Sequence, residues 1–298
     1  MKPNLKLIAL VAGLSMYACQ PAKNQESSAT EAPKPVSVSL ELVWETDSVL
    51  MTCEAVRYNP EDGMIYVSNI GVKANTEKDG DGSISKISTA GEVLDLNWVT
   101  GLNGPKGSAI SGGSLFVTDI DEVVEIELAS GTILNKTQVD SAVFLNDLDA
   151  RNGSIQFTDT GRGKIHLLGE GGATEKLDMP KFAPNGIFIE EERVLVVSYG
   201  TGAMVSIDNA TMTVDTLATG MKGGDGIVAI DEGYLVSTWQ GEVFFVEEGN
   251  DPVKILDTTE EKLNAADITI VPEQNLLIVP TFFGNKVMAY RINVSTGE

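Results

Sequence analysis

The chain is short of the side chains that most often carry crosslinks and proton relays. It has two cysteines and one histidine in 298 residues. Cys19 and Cys53 offer at most one bridge, so a disulfide framework is excluded. The lone His166 leaves no imidazole cluster for a metal and no partner for a thiolate at Cys53. Beside Glu54, Cys53 reads either as a soft metal ligand or as a small buried side chain; the lack of a histidine favours the latter. Basic residues are also scarce, 21 Lys and Arg against 43 Asp and Glu, a formal charge of −22. Such a body is repelled by nucleic acid and by anionic lipid surfaces, so neither is expected as a partner. Long apolar runs are missing too. The run Leu7–Leu14 is too short to span a bilayer, and no segment sustains a helical period.

What is present at the start of the chain reads as a processing segment. Lys2 and Lys6 precede the apolar run, and Met16-Tyr17-Ala18-Cys19 forms an imperfect lipoprotein cleavage box. The expected organisation is a signal peptide over 1–18, a flexible tether over 19–37 with lipidated Cys19, a β domain over 38–293 and a tail over 294–298. An ordinary secretory signal cut elsewhere is the competing reading. Gln20–Val36 is rich in Ala, Ser, Pro, Glu and Lys, the composition of a tether. The expectation is an exported bacterial lipoprotein of the outer membrane or periplasm, possible also at the cell surface, touching the membrane through its anchor only. Oligomeric state is not readable.

The body repeats. Glu54-Ala55-Val56, Lys106-Gly107-Ser108, Asn146-Asp147-Leu148, Asn185-Gly186-Ile187, Asp225-Gly226-Ile227 and Ala266-Asp267-Ile268 each precede an apolar, strand-like run. Their first residues lie 52, 40, 39, 40 and 41 apart. A period near 40 with about four short strands per unit predicts an all-β fold, a six-bladed β-propeller. The last unit lacks its outer strand, and the spare one is Ser39–Glu45, so the N-terminal strand is expected to close the sixth blade. The longer first spacing reflects the loop Gly71–Gly82, whose Asp79-Gly80-Asp81-Gly82 lacks the EF-hand spacing and reads as turn chemistry; the loop is a candidate lid.

In a propeller, equivalent positions converge on one axis. Turn propensity accounts for any single Asn-Gly or Asp-Gly, but not for Glu54 among apolar neighbours, nor for polar residues in register in four blades. Glu54, Asn146, Asn185 and Asp225 are therefore candidate ligands of one hard cation. Ca²⁺ comes first, then another divalent ion such as Mg²⁺, Mn²⁺ or Zn²⁺. Taken together, Cys-Glu-Ala-Val, Leu-Asn-Asp-Leu, Pro-Asn-Gly-Ile and Gly-Asp-Gly-Ile resemble the regucalcin/gluconolactonase/paraoxonase superfamily of six-bladed propellers over residues 40–292.

The resemblance implies a divalent ion held by Glu54, Asn185 and Asp225, with Asn146 a ligand or a substrate-side donor and Asp147 beside it in the same site. It also implies hydrolysis of lactones, aryl esters or organophosphates. Asp225 is the expected general base or nucleophile, although its role and that of Glu54 can be exchanged.

Two features depart from the family. Lys106 stands where paraoxonases carry histidine; it is read as a substrate-binding or catalytic amine, or as a cation neutralising Asp225 or Asp267. Ala266 leaves the sixth blade without a donor. His166 falls away from the axis and is expected to be structural, whereas Trp239, Phe282 and Phe283 follow inner strands and are expected at one mouth. A metal-dependent lactonase or esterase acting on a small molecule is the leading expectation. A non-catalytic ligand- or protein-binding propeller at the envelope is the alternative, and an isomerase or synthase like the strictosidine-synthase relatives is a third.

Overall fold

The computed structural model describes residues 36–72 and 76–296. The expected leader, tether and lipid-bearing Cys19 lie outside the described residues. Among the described residues no helix is long and apolar enough to cross a membrane.

Among the described residues twenty-four strands form six four-stranded antiparallel sheets arranged in a ring, a six-bladed β-propeller. Blade one comprises Cys53–Asn59, Met64–Asn69, Gly82–Ser88 and Val93–Leu102, paired in chain order. Blades two to five repeat this meander over 105–138, 145–178, 184–218 and 224–257. The sixth blade joins Thr269–Val271, Leu276–Pro280 and Val287–Thr296 to the N-terminal strand Val36–Glu45. Leu40 pairs with Ile292 and Glu45 with Met288, so the two chain ends share one sheet and leave no open seam. The pairing runs from Val36↔Thr296, a little beyond both limits of the expected 38–293 span.

Apolar side chains from neighbouring blades interlock between the sheets. Leu235, Val243 and Phe245 of blade five meet Leu277, Val279 and Met288 of blade six; Val56, Ile65 and Val67 of blade one meet Ile278 and Ala289. The core is thus a ring of sheet-on-sheet layers, and the axis is lined by the first strand of each blade.

The first strands of blades one to five carry their signatures, Ala266-Asp267-Ile268 comes just before Thr269–Val271, and none of the signatures is a turn. Pairing with the second strand breaks register at Cys53/Ala55, Pro105/Ser108, Leu145/Leu148, Pro184/Ile187 and Gly224/Ile227. Each break is a bulge, which kinks a strand and re-aims a side chain. The glycine after the donor is required by crowding rather than by a left-handed backbone. A Cβ on Gly186 would lie 1.7 Å from the Asp225 carbonyl oxygen, and one on Gly107 would lie 2.4 Å from the Asp147 Cα.

Hydroxyls of the second strands knit one blade to the next. Thr158 Oγ1 donates to the Asn185 carbonyl at 2.9 Å, Ser237 Oγ to that of Ala266 at 2.7 Å, and Thr118 Oγ1 to that of Asn146.

Candidate metal centre and cavity

Glu54, Asn146, Asn185 and Asp225 all line one cavity of about 420 Å³ at the end of the channel. All four are buried. The amides are oriented by their nitrogens: Asn146 Nδ2 donates to Thr160 Oγ1 at 3.3 Å, and Asn185 Nδ2 to the Gly224 carbonyl at 3.3 Å. Their carbonyl oxygens are left to face the site. Glu54 Oε2, Asn146 Oδ1, Asn185 Oδ1 and Asp225 Oδ1 are buried and accept no hydrogen bond. A buried acceptor without a donor costs roughly 1–3 kcal/mol, so four at one place need a common partner.

Asp147 and Asp267 extend this set. Both oxygens of Asp147 and Asp267 Oδ2 are likewise buried without a donor. Carboxylate oxygens of Glu54, Asp147 and Asp225 all lie within 4.8 Å of one another, an acidic triad that could hold a metal ion. The sequence reading placed Asp147 beside the ligands; the structure brings it into the same cluster. Asp267 is tied to the neighbouring blade one instead: its N–H donates to the Glu54 carbonyl at 3.0 Å, and Ala55 and Asp267 form a parallel bridge.

The charge balance is unfavourable to bare carboxylates. Glu54, Asp147, Asp149, Asp225 and Asp267 are all buried, and the cations among them are Arg57 and Lys106. Burial drives the Glu54 pKa up to about 8, with Lys106 opposing and Asp267 adding to the rise. Burial drives Asp267 up to about 7, against the pull of Arg57. Asp225 and Asp147 are pushed well up, first by burial and then by the neighbouring carboxylates. A divalent cation is what such a set favours: oxygen-only donors, excess negative charge and unpaired lone pairs.

Arg57 occupies the channel behind the cluster. Its Nε donates to the Ser108 carbonyl at 2.6 Å, and its guanidinium nitrogens lie 3.9 Å from Asp149 Oδ1 and 4.0 Å from Asp267 Oδ2. Nothing in the sequence pattern singled this residue out, although it sits three residues after Glu54, as Asp149 does after Asn146.

Lys106 differs from expectation. It is buried, does not line the cavity, and its Nζ lies 4.5 Å over the Phe144 ring and donates to the Gly104 carbonyl at 3.1 Å. Burial lowers its pKa, while the carboxylates that oppose this are Glu54 and Asp119, not Asp225 or Asp267. The reason is adjacency, since blade two borders blade one whereas Asp225 lies on blade five.

Cys53 is fully buried; its Sγ donates to the Lys286 carbonyl at 3.2 Å and burial pushes the thiol up to about 12, so it is inert. His166 is buried on the third strand of its blade, stacked on Phe157 at 5.1 Å, away from the axis as expected. In the Asp79–Gly82 turn, Asp81 Oδ2 accepts the Val72 N–H at 3.0 Å and Asp79 Oδ1 the Asp81 N–H at 3.2 Å, which is turn chemistry. Residues 73–75, on which the expected lid depends, lie outside the described residues.

The wall of the cavity is aromatic. Phe144, Tyr199, Trp239, Phe282 and Phe283 line it with Ile70 and Val72, as expected for Trp239, Phe282 and Phe283. Phe144 and Tyr199 were missed, although Tyr199 stands 40 residues before Trp239 at the equivalent end of its blade's second strand; Phe144 instead precedes the first strand of blade three. Phe144 is set by Asp159, whose carboxylate accepts the Val143 and Phe144 N–H groups at 3.0 Å. A recurring Thr-Asp pair, Thr118-Asp119 and Thr158-Asp159, was the available signal for these staples.

Fold and site together define a six-bladed propeller with a buried acidic, oxygen-lined centre at the floor of an aromatic cavity. No protein-family model matches the chain, and no curated relative is found for it. Among solved structures it is similar to a gluconolactonase from Xanthomonas campestris, at 14% identity and TM-score 0.63 over 89% of this chain and 99% of the other. It is also similar to a virginiamycin B lyase from Staphylococcus aureus, at 12% identity and TM-score 0.59 over 86% and 99%. A chain of a nidogen/laminin complex matches at 15% identity and TM-score 0.52, over 82% and 85%. At these identities the likeness is one of fold.

Proposed function

We propose that the protein is a divalent-cation-dependent hydrolase of lactones or related esters, with Ca²⁺ the first candidate ion. The observation that carries this reading is the convergence of four unpartnered oxygens, on Glu54, Asn146, Asn185 and Asp225, at the floor of one ligand-sized cavity. Glu54, Asn146, Asn185, Asp225 and the neighbouring Asp147 would hold the ion. Bound there, it would supply electrophilic polarisation of a carbonyl oxygen.

The rest of the chemistry belongs to the chain. Asp225 Oδ1 faces the cavity and is the group to take a proton from water. Asn185 beside it steadies the ionised form. Phe282 and Trp239 exclude bulk water from one side, which strengthens every charge interaction at the floor. The likeness to a gluconolactonase and to a lyase is consistent with a propeller enzyme of this kind. We place it at the bacterial envelope as a lipoprotein anchored through Cys19, acting on a small molecule.

The test is metal analysis of the purified soluble domain together with a screen of lactones and esters. About one divalent ion per chain and chelator-sensitive hydrolysis support the reading. A second reading, a propeller that binds without catalysis, is favoured by the likeness to the nidogen/laminin chain and by the absence of an imidazole at the site. A metal-filled protein inert to the whole panel would select it.

A further inference from the structure

Above the oxygen donors the described hydrogen-bonding side chains of the cavity wall are Thr52, Thr160 and Tyr199. Thr52 Oγ1 donates to the Gly71 carbonyl at 2.8 Å, and Thr160 Oγ1 donates to the Pro184 carbonyl at 2.7 Å. Both threonine hydroxyls thus spend their proton within the protein. Among the described residues no cationic side chain lines the cavity; Lys106 lies behind the Phe144 ring.

In place of polar groups stands a mutually perpendicular trio. Ring centroids are 5.6 Å apart for Trp239 and Phe282, 6.0 Å for Trp239 and Phe283, and 4.7 Å for Phe282 and Phe283, with interplanar angles of 75°, 80° and 90°. Phe283 is 65% exposed, so one large apolar face at the mouth is uncovered.

The trio is fixed relative to the floor. Phe282 has a φ of +48°, a left-handed backbone that costs a non-glycine residue energy and persists only where its surroundings impose it. They do so through the Phe282 N–H donated to the Cys53 carbonyl at 3.1 Å and the Asn285 N–H donated to the Phe282 carbonyl at 3.0 Å. Cys53 adjoins Glu54, so the shelf and the oxygen cluster are held by the same stretch of backbone.

We infer that the substrate is an uncharged ester or lactone bearing an aryl or similarly sized apolar substituent, which lies on the Trp239–Phe282–Phe283 shelf while its carbonyl reaches the floor. This rests on the hydrolase reading above for the reaction but not for the binding. A polyhydroxylated sugar lactone would leave most of its hydroxyls unpaired against a largely aromatic wall, and a carboxylated or phosphorylated substrate would find no cation among the described lining residues.

The experiment compares γ-phenyl-γ-butyrolactone, γ-butyrolactone, glucono-δ-lactone and the para-carboxyphenyl lactone on the calcium-loaded protein. It also measures calorimetric binding of the non-hydrolysable phenyl lactam to wild type and Phe283→Ala. Expected are a kcat/KM for the phenyl lactone about 100-fold or more above that for gluconolactone, and lactam binding weakened about tenfold by Phe283→Ala. The phenyl-over-unsubstituted preference should fall by a similar factor, about tenfold, in that variant. Gluconolactone or the carboxylated lactone as the better substrate would overturn the inference and leave the hydrolase reading standing. No turnover of any lactone, with lactam binding that depends on Phe283, would uphold the inference and remove the hydrolase reading. Absence of lactam binding would overturn it outright.

Discussion

Replacing Glu54 by Gln separates the two electrostatic states of the centre. With its pKa raised to about 8 by burial, Glu54 of the metal-free protein is largely protonated at pH 7. Glutamine is close to isosteric with that neutral acid, so the metal-free variant should melt within about 2 °C of wild type, a difference of less than about 1 kcal/mol for a domain of this size. Calcium should part the two. At free calcium about 100 times its dissociation constant, wild type gains about 2.7 kcal/mol, or roughly 5–10 °C in Tm. Loss of one ligating carboxylate should weaken binding at least about 100-fold, placing the same calcium near the variant's dissociation constant and leaving a gain of about 0.4 kcal/mol, about 1 °C.

The assay is scanning calorimetry of both proteins in chelator and in calcium. Binding to wild type should also release a proton, visible as a calorimetric heat that varies with buffer ionisation enthalpy. A calcium-induced shift in Glu54→Gln as large as in wild type would refute the assignment of Glu54 as a ligand. A metal-free variant that melts far below wild type would refute the claim that the resting side chain is neutral.

Other consequences are independent of that one. Asp225→Asn removes the proposed proton acceptor and should lower kcat by about 100-fold or more while circular dichroism stays native; undiminished turnover would exclude Asp225 as the base. For pH, the raised pKa values of Glu54, about 8, and Asp267, about 7, mean that the folded metal-free chain favours their protonated forms. The stability they lend is complete below the ordinary carboxylate range and is lost as pH rises through 7 and 8. Metal-free Tm should therefore fall from pH 5 to 8 while calcium affinity rises over the same window, and a metal-free Tm that climbs instead would contradict the burial argument. Gly186→Ala drives a Cβ into the Asp225 carbonyl and should cost about 1–3 kcal/mol and weaken calcium binding. Gly171→Ala, where a Cβ meets nothing within 4 Å, should do neither, and equal effects in denaturant titrations would exclude interblade crowding as the cause.

Much of this architecture was legible because a propeller repeats its instructions locally. Each blade restates one strand pattern, and the period alone assigned Asn185 and Asp225, 40 residues apart, to equivalent positions on the inner strands. The closure by Ser39–Glu45 followed from counting strands, and the observed pairing of Val36–Glu45 with Val287–Thr296 bears it out. The four oxygen donors stood out as polar residues in register among apolar ones, and all four reach the cavity. The sequence could not separate a tight turn from a bulge, since Asn-Gly serves both; only the 1.7 Å approach at Gly186 shows that glycine there answers to a neighbouring strand. Nor could it fix how far each side chain reaches along the axis, which is why Lys106 was matched with Asp225 or Asp267 when Glu54 and Asp119 are the carboxylates beside it.

The same limit hid the division of the axis into two levels. The inner strands carry one tier of donors at Glu54, Asn146, Asn185 and Asp225, and a second tier three residues on, where Arg57 meets Asp149 and reaches Asp267. A guanidinium cannot lose its charge and is fixed here by the Ser108 carbonyl, so the lower carboxylates already have a permanent cation. Among the described residues that line the upper tier none is cationic; Lys106 lies behind Phe144 and acts on Glu54 from there. A mobile divalent ion is therefore best accommodated at the upper tier alone, next to the aromatic cavity. Arg57 lies among the lower carboxylates, outside the lining of the aromatic cavity that Trp239 and Phe283 border.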